Sequence, residues 1–272
     1  MPSQQKAALV VVSGLPAPPG VAGVLVQRWN RNLEWPSEAL VFADQEGGDV
    51  RVFRELPPSR AAARYRSAAD ARAAGRATGR ALRRVGVDVD LAPVLDLRDG
   101  PLGSRQFARP EYGVAFARGL LDAGAGSCVK HFPGLGTAAV STDERPHVAA
   151  HVRARDLVPF RDAIDAGVPC VMTSNAFYDA ARDRATMSAS TYRRLRGLGF
   201  RGVAITDSLS IVREAPVERW SREAVLAGAD LLLFTSPLNA RRAIRALVPL
   251  ARAGELDEHV RRVLAFRLRY DH

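Results

Sequence analysis

The sequence predicts an α/β fold, a (β/α)8 barrel of the TIM type that is irregular and reduced in its N-terminal third. Three observations carry this expectation: eight short runs rich in Val, Ile and Leu, longer stretches of helical period between them, and a glycine closing most of those stretches. Short apolar runs that alternate with helical periods favour a parallel sheet with crossover helices. The strands are expected at Ala8–Val12, Gly23–Val26, Ala39–Ala43, Val87–Ala92, Ser127–His131, Pro169–Thr173, Gly202–Thr206 and Leu231–Thr235. Helices are expected at Arg60–Val85, Glu111–Ala123, Arg155–Ala166, Ser190–Leu198, Val217–Ala227, Asn239–Ala253 and Asp257–Arg269. Gly86, Gly124, Gly167, Gly199 and Gly228 stand where a C-terminal cap belongs. The connections Leu15–Gly20 and Gln27–Glu38 are too short for full helices and carry Pro, Trp and Asn. An open doubly wound sheet is the alternative arrangement of the same elements.

At 272 residues, 47% of them hydrophobic and 25% charged, the chain has the composition of a folded domain with one large core. Without a repeat, low-complexity tract or linker, residues 1–272 are read as a single domain. No basic stretch followed by a long apolar run opens the chain, so the expected location is cytoplasmic, with no membrane association. Cys128 and Cys170 both fall in strand-like apolar runs, which predicts two buried thiols in a reducing compartment. No metal is expected.

The formal charge of +10 is spread as arginine through helical stretches, the pattern of a solvated helix face, and no nucleic-acid-binding motif accompanies it. Nucleic acid is therefore not an expected partner. Only Lys6 and Lys130 of the 39 basic residues are lysine. Retaining a compact ammonium at Lys130 in an arginine-using chain marks that position, because the two cations are not interchangeable in a tight site.

In barrels of this type the reactive groups sit at the C-terminal ends of strands. Polar residues collect there: Asp44-Gln45-Glu46 after the third strand, Asp96 and Arg105 after the fourth, Lys130-His131 on the fifth, Ser174-Asn175 after the sixth and Asp207-Ser208 after the seventh. Such a set suits a polyhydroxylated ligand, whose hydroxyls are held by charge-assisted hydrogen bonds. No phosphate loop or dinucleotide fingerprint appears.

Six blocks carry a family resemblance: Phe42–Gly48 (FADQEGG), Val87–Leu97 (VDVDLAPVLDL), Gly103–Phe107 (GSRQF), Val129–Gly136 (VKHFPGLG), Met187–Ser190 (MSAS) and Gly199–Ser210 (GFRGVAITDSLS). In order and content they resemble glycoside hydrolase family 3, and within it the single-domain β-N-acetylglucosaminidases that recycle or trim cell-wall amino sugars. The resemblance implies a retaining hydrolase with Asp207 as nucleophile, Lys130 and His131 gripping sugar hydroxyls, and Asp44 and Arg105 at further sugar-contacting positions. Retention needs a carboxylate and a proton donor on opposite sides of the anomeric carbon and no cofactor. The expected partner is a carbohydrate, a β-linked amino sugar or another β-glycoside.

This chain departs from the family where the proton donor belongs. Relatives carry Asp-Ser-His in the loop after KHFPG, and the equivalent residues here are Ser141-Thr142-Asp143. Asp143 is the leading candidate for the acid, with Glu144 and His147 as alternatives. Loss of the acid altogether would leave a hydrolase of substrates with good leaving groups or a sugar-binding pseudoenzyme, and a hydrolase or transferase of another β-glycoside is the alternative activity. Leu135 and Asn175 stand where histidine is common, and Asp49 where arginine commonly follows the glycine pair.

Overall fold

A computed structural model describes residues 1–179, 181–212 and 215–270. Eight parallel strands, β1 (Val11–Ser13), β2 (Gly23–Val26), β3 (Leu40–Ala43), β4 (Val89–Asp90), β5 (Gly126–Phe132), β6 (Cys170–Thr173), β7 (Val203–Thr206) and β8 (Leu232–Phe234), form one sheet. Its spatial order is β7-β6-β5-β4-β3-β2-β1-β8. A parallel bridge between Ile205 and Leu231 joins β7 to the start of β8 and closes the ring. The sheet is thus a barrel, and the open alternative is excluded by that bridge.

Both faces of every strand are covered, which is why the strands read as continuous apolar runs rather than alternating ones. Val12, Leu25, Phe42, Leu91, Met172 and Leu233 fill the barrel interior. The intervening Val11, Val24, Val41, Val171, Ala204 and Leu232 pack outward in the layer that the helices cover. Period-two alternation therefore exists, but between two kinds of apolar environment.

The helices are α1 (Ser3–Ala8), α2 (Ala68–Arg84), α3 (Pro110–Asp122), α4 (Val158–Asp165), α5 (Ala189–Gly197), α6 (Val217–Ala227), α7 (Pro237–Arg252) and α8 (Asp257–Arg267). No helix follows β1 or β2, as the short connections predicted. The short α1 precedes β1 and packs on α7. Helix α2 begins eight residues later than expected because Ser67 caps it, its side chain accepting a hydrogen bond from the Asp70 N–H at 3.1 Å. Glycines carry the tightest helix contact: a Cβ on Gly75 would lie 2.1 Å from the Phe116 carbonyl oxygen, and one on Gly119 2.2 Å from that of Arg72. Helices α2 and α3 meet backbone to backbone there. At the opposite end of the barrel from the strand C-termini, Phe266 and Tyr270 join the interior cluster, Tyr270 beside Gly126 at the start of β5.

The cysteine expectation is corrected. Cys128 and Cys170 are register partners on β5 and β6, with Cα atoms 4.4 Å apart, and they form a disulfide. Both side chains point into the barrel interior, so adjacent strands set them side by side although they are 42 residues apart in sequence. Among the described residues, no helix is long and apolar enough to cross a membrane.

Candidate active site

Strand β3 hands the chain directly to Asp44, Gln45 and Glu46. In extended backbone, residues two apart share a face, and Asp44 and Glu46 both turn to the Lys130 ammonium, at 2.6 and 2.7 Å. Gln45 between them points the other way. Its amide donates to the carbonyls of Phe53 and Pro57 at 2.9 and 3.0 Å and accepts from the Phe53 N–H at 3.1 Å, fixing the loop beneath.

Glu46 also takes both arms of Arg105 at 2.8 Å, and Arg105 reaches Asp143 at 3.4 Å. The result is an alternating chain of charge, Asp44, Lys130, Glu46, Arg105, Asp143. Burial alone would push the Glu46 carboxyl up, but Lys130 and Arg105 outweigh it and hold it at about 2. Burial would likewise deprotonate Lys130, whose side chain is only 3% exposed, yet Asp44 and Glu46 raise it above the ordinary lysine value. Lys130 is therefore a fixed cation and hydrogen-bond donor, not a base.

Consecutive strand residues normally face opposite sides, yet Lys130 and His131 line the same cavity. The peptide joining them is cis, and the register of β5 against β6 shifts between Val129 and Phe132. Asp96 orients the imidazole: one carboxylate oxygen lies 2.7 Å from His131 Nδ1, and the carboxylate also accepts the backbone N–H of His131 at 3.2 Å and of Leu135 at 2.7 Å. With three donors converging on it, Asp96 acts as acceptor, which assigns the proton to Nδ1 and leaves Nε2 for a ligand.

Asp207 follows β7. Its N–H donates to the Thr173 carbonyl at 2.9 Å, and its carboxylate accepts the Ser208 N–H at 2.7 Å. Burial raises its pKa above the ordinary Asp value; the charge of Asp143 adds to the rise, while His131, the Ser208 N–H and Lys130 oppose it. Asn175 supports the next residue, donating to the Ser208 carbonyl at 2.9 Å.

All six residues singled out from the sequence, Asp44, Arg105, Lys130, His131, Asp143 and Asp207, line one cavity of about 270 Å³. Its apolar wall is the upper layer of the barrel interior, Leu25, Leu91, Met172 and Leu233. Of the three candidates for the acid, only Asp143 belongs to this lining. It sits on an exposed turn, its N–H donating to Ser141 Oγ at 3.2 Å, and its side chain is 66% exposed. Glu144 occupies the same turn outside the cavity, and His147 stacks on Phe177 with ring centroids 4.3 Å apart. Leu135 is fully buried with Val94, Leu102 and Ala138 and packs the loop rather than facing the cavity.

Two carboxylates were missed as site residues. Glu46 was within reach of sequence reasoning, because it lies two positions after Asp44 on an extended segment. Asp90 was not. It ends β4, fully buried, with one oxygen accepting the Gln45 N–H at 2.9 Å and the other without a partner among the described residues. Burial pushes it up to about 8 against the pull of the Gln45 N–H and Lys130, while Asp44 and Glu46 add to the rise.

An Asp in the unfolded chain ionises above about pH 3.9, whereas folded Asp90 keeps its proton to about 8, so the native state loses stability as pH rises through that window. Asp90→Asn keeps the acceptor for Gln45 and removes the titration. The variant is expected to be more stable near pH 7, by a few kcal/mol and several degrees in Tm, with the gain vanishing near pH 4. Melting curves across pH check this, and a gain equal at both pH values would contradict it.

A closed parallel barrel with acids, a fixed cation and an oriented imidazole at the C-terminal mouth defines a barrel of the glycosidase class. The Glycosyl hydrolase family 3 N terminal domain matches residues 25–266, and this chain belongs to that family. It is 34% identical over 275 aligned positions to a β-hexosaminidase of Alkalilimnicola ehrlichii, covering 85% of this chain and 78% of that protein. A β-hexosaminidase of Xanthomonas campestris is 33% identical over 241 positions, with 78% and 72% covered. Among solved structures, a β-N-acetylhexosaminidase from Beutenbergia cavernae superposes with a TM-score of 0.84 at 26% identity, over 97% of this chain and 98% of that one. A family 3 β-N-acetylglucosaminidase from Paenibacillus sp. gives 0.86 at 28% identity, over 98% of this chain but 62% of that one.

Proposed function

We propose that this barrel, as a single domain, is a retaining β-N-acetylhexosaminidase-type glycoside hydrolase. In the first step an Asp207 carboxylate oxygen attacks the anomeric carbon, the bond to the leaving oxygen breaks, and Asp143 passes its proton to that oxygen. In the second, water attacks the glycosyl ester, its proton returns to Asp143, and Asp207 leaves as carboxylate. Lys130, His131, Asp44 and Arg105 hold the sugar hydroxyls, and the apolar wall takes the hydrocarbon face of the ring. The observation that carries the reading is the shared cavity: Asp207 and Asp143 both line it. The substrate is a β-linked amino sugar, with cell-wall fragments as its natural source. The test is release of a chromogenic phenol from an aryl β-N-acetylglucosaminide; no release from any activated β-glycoside, with sugar binding intact, favours the pseudoenzyme.

The reducing compartment expected from two free thiols loses its support, since the cysteines are paired and disulfides persist mainly in oxidising compartments. Denaturing alkylation without reductant is expected to leave Cys128 and Cys170 unmodified in protein isolated from its native host. Alkylation of both would restore that expectation.

A further inference from the structure

On the far side of the turn that carries Arg105 lies a second cavity of about 510 Å³, within the usual span of small-ligand pockets. The turn Gly103–Arg105 divides the two: Gly103 and Ser104 line the second cavity, Arg105 lines the first, and the two linings share no residue. Three arginines, Arg64, Arg66 and Arg98, dominate the second lining, and no acidic side chain belongs to it.

Local structure brings these cations together. Tyr65 is extended and buried, stacked on Phe107 with ring centroids 5.6 Å apart. Residues on either side of an inward-facing residue in extended chain leave the backbone on the opposite side, which sends Arg64 and Arg66 outward together. The Tyr112 hydroxyl donates to the Arg66 carbonyl at 3.0 Å and fixes that segment. Arg98 comes from the loop after β4. That loop is pinned on one flank by Asp96, which accepts the Leu135 N–H at 2.7 Å, and on the other by Asp99, which accepts from Arg153 at 2.7 Å.

The protein does not answer this charge. Among the described residues none of the three arginines makes an ion pair or a side-chain hydrogen bond. The acids nearest in sequence are spent elsewhere: Asp70 on both arms of Arg60 at 2.7 Å, Asp99 on Arg153 and Arg155 at 2.7 and 2.6 Å, and Glu111 on Arg109 at 3.4 Å. Cations collected round one cavity repel, and an anion that accepts from all of them removes the repulsion. A phosphate monoester matches the set in charge and valence, with roughly two negative charges and three terminal oxygens, where a carboxylate brings one charge and two oxygens. The Ser104 hydroxyl in the same lining is a further donor.

We propose that this cavity binds a small phosphate monoester through Arg64, Arg66 and Arg98, apart from the sugar cavity. The inference uses no residue of that cavity and stands whether or not the chain is a hydrolase.

Calorimetric titration at fixed ionic strength and about pH 8, where the monoester is a dianion, tests it with methyl phosphate, dimethyl phosphate and malonate. Methyl phosphate is expected to bind. Arg64→Ala and Arg98→Ala should each weaken it about tenfold, the loss of one charge-assisted contact. Both side chains are exposed, so the variants should melt with the parent. Arg241→Ala, which removes an exposed arginine of α7 outside the cavity, should leave the affinity unchanged. Dimethyl phosphate, with a single charge, and malonate, with two charges but no phosphate, should each bind about tenfold more weakly than methyl phosphate or worse. No binding of methyl phosphate, binding indifferent to Arg64 and Arg98, or an equal loss in Arg241→Ala overturns the site. Malonate bound as tightly overturns the choice of phosphate, and dimethyl phosphate bound as tightly overturns the monoester in favour of a phosphodiester polymer.

Discussion

Asp207→Asn is expected to lower hydrolysis of an aryl β-N-acetylglucosaminide by about 10⁴-fold or more, with the sugar still bound. The size follows from the role: a neutral amide cannot form the glycosyl ester, and removing a nucleophile forfeits most of the chemical acceleration while leaving the binding groups in place. Lys130, Glu46 and Arg105 hold one another without Asp207, so the substitution should not disturb them. The same assignment carries a pH signature. Attack needs the carboxylate, and burial raises Asp207 above the ordinary Asp value, so the acid limb of kcat/KM should lie above that of an exposed aspartate. Activity within tenfold of the parent in Asp207→Asn would remove the nucleophile assignment.

The second large effect concerns Asp143. A proton donor contributes about 10² to 10⁴ in rate, and the contribution depends on how badly the leaving group needs the proton. Asp143→Asn is therefore expected to cost that much on an alkyl glycoside and less than about tenfold on a dinitrophenyl glycoside, whose phenolate leaves unaided. The position is unusual for such work. Its side chain is 66% exposed and, among the described residues, tethered only through Arg105 at 3.4 Å and its own turn, so bound substrate must supply the cover that the fold does not. Equal losses on both substrates would show that Asp143 positions Arg105 instead of moving a proton. Comparison of the two rate losses, not of either alone, decides the question.

The parts of the fold that were legible in the sequence are those governed by burial on both faces. Gly23–Val26 and Val217–Ala227 were placed at their observed bounds, and the other strands within a few residues, because continuous apolar runs have few competing explanations. Gly86, Gly124, Gly167, Gly199 and Gly228 all have positive φ, the left-handed conformation that a helix C-cap asks of glycine. What failed depended on tertiary neighbours. The six residues of α1 carry no amphipathic period of their own and gain their support from α7. The Cys128–Cys170 pairing depends on strand register, which no local pattern encodes.

In the site, side chains at strand ends were legible because the barrel dictates which end is used. Their partners were not. Glu46 is held by two cations that arrive from β5 and from the turn after β4, and Asp90 lies beneath them with one oxygen unpaired. The choice among Asp143, Glu144 and His147 was likewise a matter of which face of one loop turns inward, and only the folded loop distinguishes them.

The central claim is a covalent bond between sugar and Asp207. Incubation with a 5-fluoro-N-acetylglucosaminyl fluoride, which slows breakdown of a glycosyl ester more than its formation, followed by peptide mass spectrometry, tests it most directly. The account predicts one added fluoroglycosyl unit on the peptide containing Asp207 and none in Asp207→Asn. An adduct on another carboxylate, or turnover of the natural-configuration substrate to a product of inverted anomeric configuration, would contradict it.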